Sequence, residues 1–153
     1  MKFILLTHYR ETQKASNTGQ LVQKHVANTQ IIIWQRTQPD SSLLELISAG
    51  NTALLYPGGD DAHPSFSRLA DYENFILIDS TWQEARKIYN RSPYLKSLPC
   101  IQLPVNQSSS YTLRRNQLEG GLCTAECAIE LLKIKQFDEL AIALEEAFFS
   151  FVH

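Results

Sequence analysis

What most restricts the fold of this chain is a series of short, unbroken apolar runs, each too short for a buried helix and each followed by a turn signal. They lie at residues 2–7, 30–35, 52–56, 75–78 and 100–103. A run of this length without polar alternation reads as a strand covered on both faces, the pattern of a parallel sheet. Between the runs the chain carries helix signals. Asn17-Thr18-Gly19 opens a helix through about His25, and Asp40-Ser41-Ser42 caps another over residues 43–47 that Gly50 ends. Ser92-Pro93 starts a short helical piece that Pro99 closes, a further helix begins near Thr124, and an amphipathic one spans residues 138–151. Strands alternating with helices at this pitch predict an α/β fold with a mostly parallel sheet flanked by helices.

The 153 residues suit one domain, 1–153, and no repeat or low-complexity linker divides them. The three cysteines, Cys100, Cys123 and Cys127, make no disulfide framework. Cys123 and Cys127 share a helix face, but no histidine or second cysteine pair completes a zinc set, so no metal is expected. The apolar start is too short for a signal peptide and no run approaches a membrane span, so a cytoplasmic protein without a membrane partner is expected. A formal net charge of -2 hides an asymmetry. No acid falls between Glu84 and Glu119, where Arg86, Lys87, Arg91, Lys96, Arg114 and Arg115 stand, whereas seven acids face two lysines from Glu119 onward. A locally positive surface that attracts phosphates would follow, or else a solvated helix face.

The densest chemistry follows the fourth run. Asp79 lands at its carboxyl end, Ser80 and Thr81 can cap the next helix, and Trp82, Ala85, Arg86 and Tyr89 share one side of it. Carboxyl ends of strands are where open parallel sheets bind ligands. An N-cap beside a core tryptophan explains the same residues. His8, Arg10 and Glu11 follow the first strand and so share that edge; His8 is a proton carrier or a satisfied polar residue, and Arg10 a phosphate contact or an ion-pair partner. Tyr56-Pro57-Gly58-Gly59 lacks the lysine and spacing of a phosphate loop and is a turn or a close-approach surface. Arg114 and Arg115, adjacent, point to opposite faces or are both solvated. Glu126 sits where a helix dipole favours it.

The order of these residues resembles the DTW-domain family. It is carried by His8-x-Arg10-Glu11, Asn17-Thr18-Gly19, Leu54-Leu55-Tyr56-Pro57, Asp79-Ser80-Thr81-Trp82-Gln83-x-Ala85-Arg86-Lys87, Ser92-Pro93-x-Leu95, Leu98-Pro99, Ser110-Tyr111 through Leu113-Arg114-Arg115, and Leu122-Cys123-Thr124-Ala125-Glu126. Ser80 stands where the family usually has Gly, Ala or Cys, and Cys123 where it usually has Ser. The family's cysteine-rich N-terminal extension is expected to be absent.

The resemblance implies a tRNA-uridine aminocarboxypropyltransferase with a SPOUT-like fold and a C-terminal trefoil knot. Its donor would be S-adenosylmethionine and its partner tRNA, acting as monomer or homodimer. Asp79 would accept the N3 proton or hold the donor's ammonium, and Arg114 or Arg115 would clamp its carboxylate. Leu55, Tyr56, Pro57, Gly58, Thr81, Trp82, Ile101, Leu103, Pro104, Leu113, Thr124 and Glu126 would line the donor pocket. His8, Arg10, Lys14, Asn17, Arg86 and Lys87 would meet RNA. A SPOUT-like RNA methyltransferase using the same donor, or an RNA-binding module without catalysis, are the alternatives.

Overall fold

The computed structural model describes residues 1–56, 66–101, 103 and 123–152. In chain order the elements are β1 (Lys2–Thr7), α1 (Gly19–His25), β2 (Thr29–Ile33), α2 (Ser41–Ala49), β3 (Thr52–Leu55), β4 (Asn74–Asp79), α3 (Trp82–Asn90), α4 (Pro93–Lys96), β5 (Cys100–Ile101), α5 (Thr124–Ile134) and α6 (Asp138–Val152). Two 3-10 helices, Tyr9–Gln13 and Phe66–Asp71, sit where the sequence offered no periodic signal. The strands form one five-stranded sheet in the order β2-β1-β4-β3-β5, and every pairing is parallel. Each apolar run therefore does become a strand. The second, third and fifth end earlier than expected, and of the residues expected to finish β5, Leu103 is buried outside the strand while Gln102 lies outside the described residues.

Alternation along the pleat divides the core in two. Phe3, Leu5, Ala53, Phe75 and Leu77 face one layer, covered by Val22 of α1, the small and aliphatic residues of α5, and Ala141, Leu144 and Phe148 of α6. Ile4, Leu6, Leu54 and Ile76 face the other, covered by Leu43 of α2, Ala85 and Ile88 of α3 and Leu95 of α4. A sheet covered on both faces has no polar side, which is why its strands read as continuous apolar runs. Burying one such side chain stabilises the fold by about 1.5–3 kcal/mol. Of the aromatic end of α6, Phe148 is core while Phe149 is 63% exposed.

The amino end of β4 is held by charge. The Lys135 ammonium, at the C-cap of α5, donates to the carbonyls of Leu69 (3.3 Å) and Tyr72 (2.9 Å) and pairs with Glu73 at 3.6 Å. Glu73 also meets the chain's N-terminal ammonium at 3.4 Å. Lys135, first, and that ammonium hold the Glu73 carboxyl below its usual range.

The strand order also creates a crevice. The chain leaves β1 for β2 on one side through α1, which lies in the Phe3 layer. It leaves β4 for β3's outer neighbour β5 on the other side, through α3 and α4 in the Ile4 layer. The carboxyl ends of the adjacent strands β1 and β4 thus part in opposite directions, the topological switch point at which open α/β sheets bind ligands.

Candidate functional site

Asp79 lies at the bottom of that crevice. It pairs in register with Thr7, and its carbonyl accepts the His8 N–H at 3.2 Å, extending the β1–β4 ladder by one bond. The residue is 1% exposed. Its Oδ2 accepts from the Asn17 amide at 2.8 Å and its Oδ1 from the Thr124 hydroxyl at 2.9 Å. These donors come from 62 and 45 residues away in sequence, one just before α1 and one at the start of α5. The Asn17 side-chain oxygen Oδ1 meanwhile accepts the Gln20 N–H at 3.1 Å, and the Thr18 hydroxyl accepts the Ala125 N–H at 3.1 Å. Three loops are therefore locked together around one carboxylate.

Gly19 explains how they come so close. A Cβ built there would stand 2.5 Å from Asp79 Oδ2, so only glycine lets α1 begin against the carboxylate.

The helix after Asp79 starts as its sequence predicts. Thr81 Oγ1 accepts the Glu84 N–H at 3.3 Å, and Glu84 Oε1 accepts the Thr81 N–H at 3.0 Å, a reciprocal capping box. The same Glu84 reaches the β1 loop: its Oε2 is 3.5 Å from His8 Nδ1 and 4.0 Å from the Arg10 guanidinium. Burial pushes the Glu84 carboxyl up, but the bond from Thr81 and the field of His8 outweigh it and leave the group below its usual range. Tyr9 is 60% exposed, stacked on His8 at 4.8 Å, with the Arg10 guanidinium 5.7 Å from its ring.

Trp82 is partly buried and lies 5.6 Å from the Tyr56 ring, which in turn stacks on Tyr89 at 4.3 Å. Lys96 lies over the Tyr89 ring at 5.8 Å. Burial raises the Tyr56 phenol's pKa, partly opposed by Arg86. This aromatic row joins the carboxyl end of β3 to α3 and stiffens the rim on the Ile4 side.

The other expected residues divide. Leu55 is half-buried beside Tyr56, whereas Ile101 and Leu103 are buried in the Phe3 layer. Glu126 accepts the Cys123 N–H at 3.1 Å, closing the start of α5. Arg10, Arg86 and Lys87 are exposed, and Lys14 pairs with the buried Glu11 at 3.6 Å. Asn17, expected to meet RNA, is 7% exposed, with its side-chain amide donating to Asp79. Pro57, Gly58, Pro104, Leu113, Arg114 and Arg115 lie outside the described residues. From sequence, Thr18 and Gly19 mark only a helix start and part of the family pattern, and Glu84 only the edge of the basic stretch; none is given a role at the site. The Thr-x-x-Glu spacing of a capping box is the signal that could have found Glu84.

Charge follows the layers. Arg86, Lys87, Arg91 and Lys96 are exposed on α3, α4 and the turn between them. On the opposite layer Lys133 is engaged by Glu145 at 2.9 Å and Glu130 at 3.7 Å, and α6 starts with Asp138 and Glu139. Among the described residues no three His, Cys, Asp or Glu side chains gather as a metal site. Burial pushes the Cys123 thiol up to about 12 and that of Cys127 up as well, which disfavours the thiolate of both at neutral pH. No helix among the described residues is long and apolar enough to cross a membrane.

The whole chain, residues 1–153, matches the family model described as DTW domain. A curated relative from Drosophila melanogaster, named tRNA-uridine aminocarboxypropyltransferase 2, is 26% identical over 139 residues, covering 87% of this chain and 55% of the relative. Relatives of the same name from Macaca fascicularis and Mus musculus are 30% and 29% identical over 98 residues, 62% of this chain and 33% of each relative. The chain thus spans about half of the first relative's length and a third of the other two. No solved structure matches it.

Proposed function

The chain belongs to the DTW domain family, and from that membership we propose that it is a cytoplasmic tRNA-modifying enzyme that transfers the 3-amino-3-carboxypropyl group of S-adenosylmethionine to N3 of a tRNA uridine. The observation that carries this reading is the position of Asp79-Ser80-Thr81-Trp82: it occupies the switch-point crevice of a parallel sheet, where ligands of such folds bind. The names of the relatives support the reaction class.

The donor's sulfonium makes each attached carbon electrophilic, so the product depends on which carbon is held against the nucleophile. In this transfer the uridine N3–H gives up its proton, an N3–C bond forms, the C–S bond breaks and methylthioadenosine leaves. The protein's work is then mostly orientation. The residues present suit such a donor. Leu55 and Trp82 offer apolar surface at the carboxyl ends of β3 and β4 for an adenosine, and Ile101 and Leu103 back that edge from the core. Arg114 or Arg115 would hold the donor's carboxylate, since a guanidinium fork matches it. A SPOUT-like arrangement with a C-terminal trefoil knot belongs to the same reading, supported by the parallel sheet.

Phosphates of tRNA would meet the basic layer, with Arg86 and Lys87 exposed one helix from the crevice and His8 and Arg10 on its rim. Replacing Arg86 and Lys87 together by glutamate lowers tRNA affinity and reduces the slope of log K against log salt by about 1–2.

The reading is tested by incubating tRNA with protein and S-adenosylmethionine and analysing nucleosides by mass spectrometry. The expected product is a uridine heavier by one aminocarboxypropyl unit. A methyl gain would make the chain a methyltransferase, and tRNA binding without donor consumption would leave it an RNA-binding module.

A further inference from the structure

A carboxylate at a ligand crevice invites the role of general base, but the surroundings of Asp79 point elsewhere. A base must reach the proton that it removes, directly or through one water. Asp79 is 1% exposed, and both of its oxygens are already bound by side chains from other loops. Gly19 closes a third side, with its hypothetical Cβ 2.5 Å from Oδ2 and 3.1 Å from Cγ. The donors are neutral, an amide and a hydroxyl, each of which has a second tie: Asn17 to the start of α1, and Thr124 to α5 by the helix itself.

We propose that Asp79 is a positioning residue: an acceptor clasp that fastens the loop before α1, through Asn17, and the first turn of α5, through Thr124, to the carboxyl end of β4, without itself taking the substrate's proton. The carboxylate is the one group here that can accept from both loops at once while adding no donor of its own. Thr18 makes the joint double, because its hydroxyl accepts the Ala125 N–H beside the Thr124 contact. Asp79 thereby sets the separation of the β1 loop and α5 across the crevice. The substrate meets the surfaces that it holds apart, not the carboxylate.

The clasp and a base respond oppositely to one substitution. In Asp79→Asn the carbonyl still accepts from Asn17, and the new amide donates to the Thr124 oxygen while that hydroxyl turns its proton away. Both joints survive, but nothing remains that can accept a proton at neutral pH. Asp79→Ala removes both joints. The experiment compares wild type, Asp79→Asn, Asp79→Ala and Thr124→Val by thermal unfolding, by hydrogen exchange at the Ala125 amide and by transfer to tRNA across pH 6–9.

A clasp gives Asp79→Asn a melting temperature within about 3 °C of wild type, with Asp79→Ala roughly 6–10 °C lower. Exchange at Ala125 speeds at least tenfold in Asp79→Ala and Thr124→Val, and within about threefold of wild type in Asp79→Asn. Turnover of Asp79→Asn falls by no more than about tenfold, and its pH profile keeps the wild-type shape. Loss of about 10²–10⁴-fold in turnover at an unchanged melting temperature would instead make Asp79 the base. Equal melting temperatures and equal exchange in all four proteins would also overturn the clasp.

The activity arm rests on the transfer reading, but the stability and exchange arms do not. If the wild-type protein makes no aminocarboxypropyl uridine, the function fails while the melting order and the Ala125 exchange still decide the clasp. If Asp79→Ala does not fold, Asp79→Asn and Thr124→Val carry the comparison alone.

Discussion

The two ends of β4 are tied into the molecule by opposite means. At the amino end a lysine ammonium, 11% exposed, gathers the carbonyls of Leu69 and Tyr72 and a solvent-facing Glu73 that also meets the N-terminus. At the carboxyl end a buried carboxylate gathers neutral donors from two distant loops, with a glycine packed against it. The first arrangement is charged, near water and replaceable: a carbonyl that loses Lys135 can turn to solvent. The second has no water to fall back on, so an error there strands a buried polar group. The difference matches the division of labour in parallel α/β sheets, with ligands at the carboxyl ends of the strands and framework at the other.

Four substitutions would break or sharpen this contrast. Gly19→Ala has the largest effect, because its methyl overlaps Asp79 Oδ2 and one of the two must move. It costs about 2–3 kcal/mol in chemical denaturation and depresses transfer per folded molecule as well. An alanine variant as stable as wild type would mean that the carboxyl end is as forgiving as the amino end. Lys135→Met at the opposite end costs roughly 1–2 kcal/mol but leaves transfer per folded molecule unaltered; a fall in transfer would erase the contrast. Thr81→Ala removes the hydroxyl half of the capping box and costs about 1 kcal/mol, read from urea unfolding.

Glu84→Gln is the smallest and is visible through pH. The Glu84 carboxyl lies below its usual range in the folded protein, where burial is outweighed by the Thr81 bond and His8. A lowered carboxyl pKa stabilises the fold above the unfolded value, about 4.3, and that stability is lost as pH falls through the folded value. Wild type therefore loses about a few tenths of a kcal/mol more than Glu84→Gln on acidification from pH 6 to pH 3, the discount expected for a partly solvated pair. Matching unfolding curves at several pH values measure it, and parallel losses in the two proteins would refute it.

How much of this was legible in the sequence depends on how far each interaction reaches along the chain. The strands were, because a doubly covered strand must be apolar at every position: 75–78 and 2–7 could hardly be anything else. The cap at Thr81 was, because its partner is three residues away. The layer assignment followed from alternation once the sheet was known. The Asn17–Asp79–Thr124 joint was not, because hydrogen bonds spanning 62 and 45 residues leave no period. Asn17 was therefore legible only as a helix start and an expected RNA contact. The 3-10 helix at Tyr9–Gln13 left no sequence signal, since so short a turn has too few positions to show a pattern. Lys135 was noted only as one of two bases in an acidic stretch, although it bonds two carbonyls and an acid from residues 69–73.

The strand order has a consequence for how the chain is made. β1 lies between β2 and β4, yet the ribosome delivers β4 last of the three. At about 5–20 residues per second, one hydrogen-bonding edge of β1 waits several seconds for its partner. An open apolar strand edge invites pairing with a neighbouring nascent chain. The yield of folded protein should therefore depend on translation speed between Thr7 and Asp79.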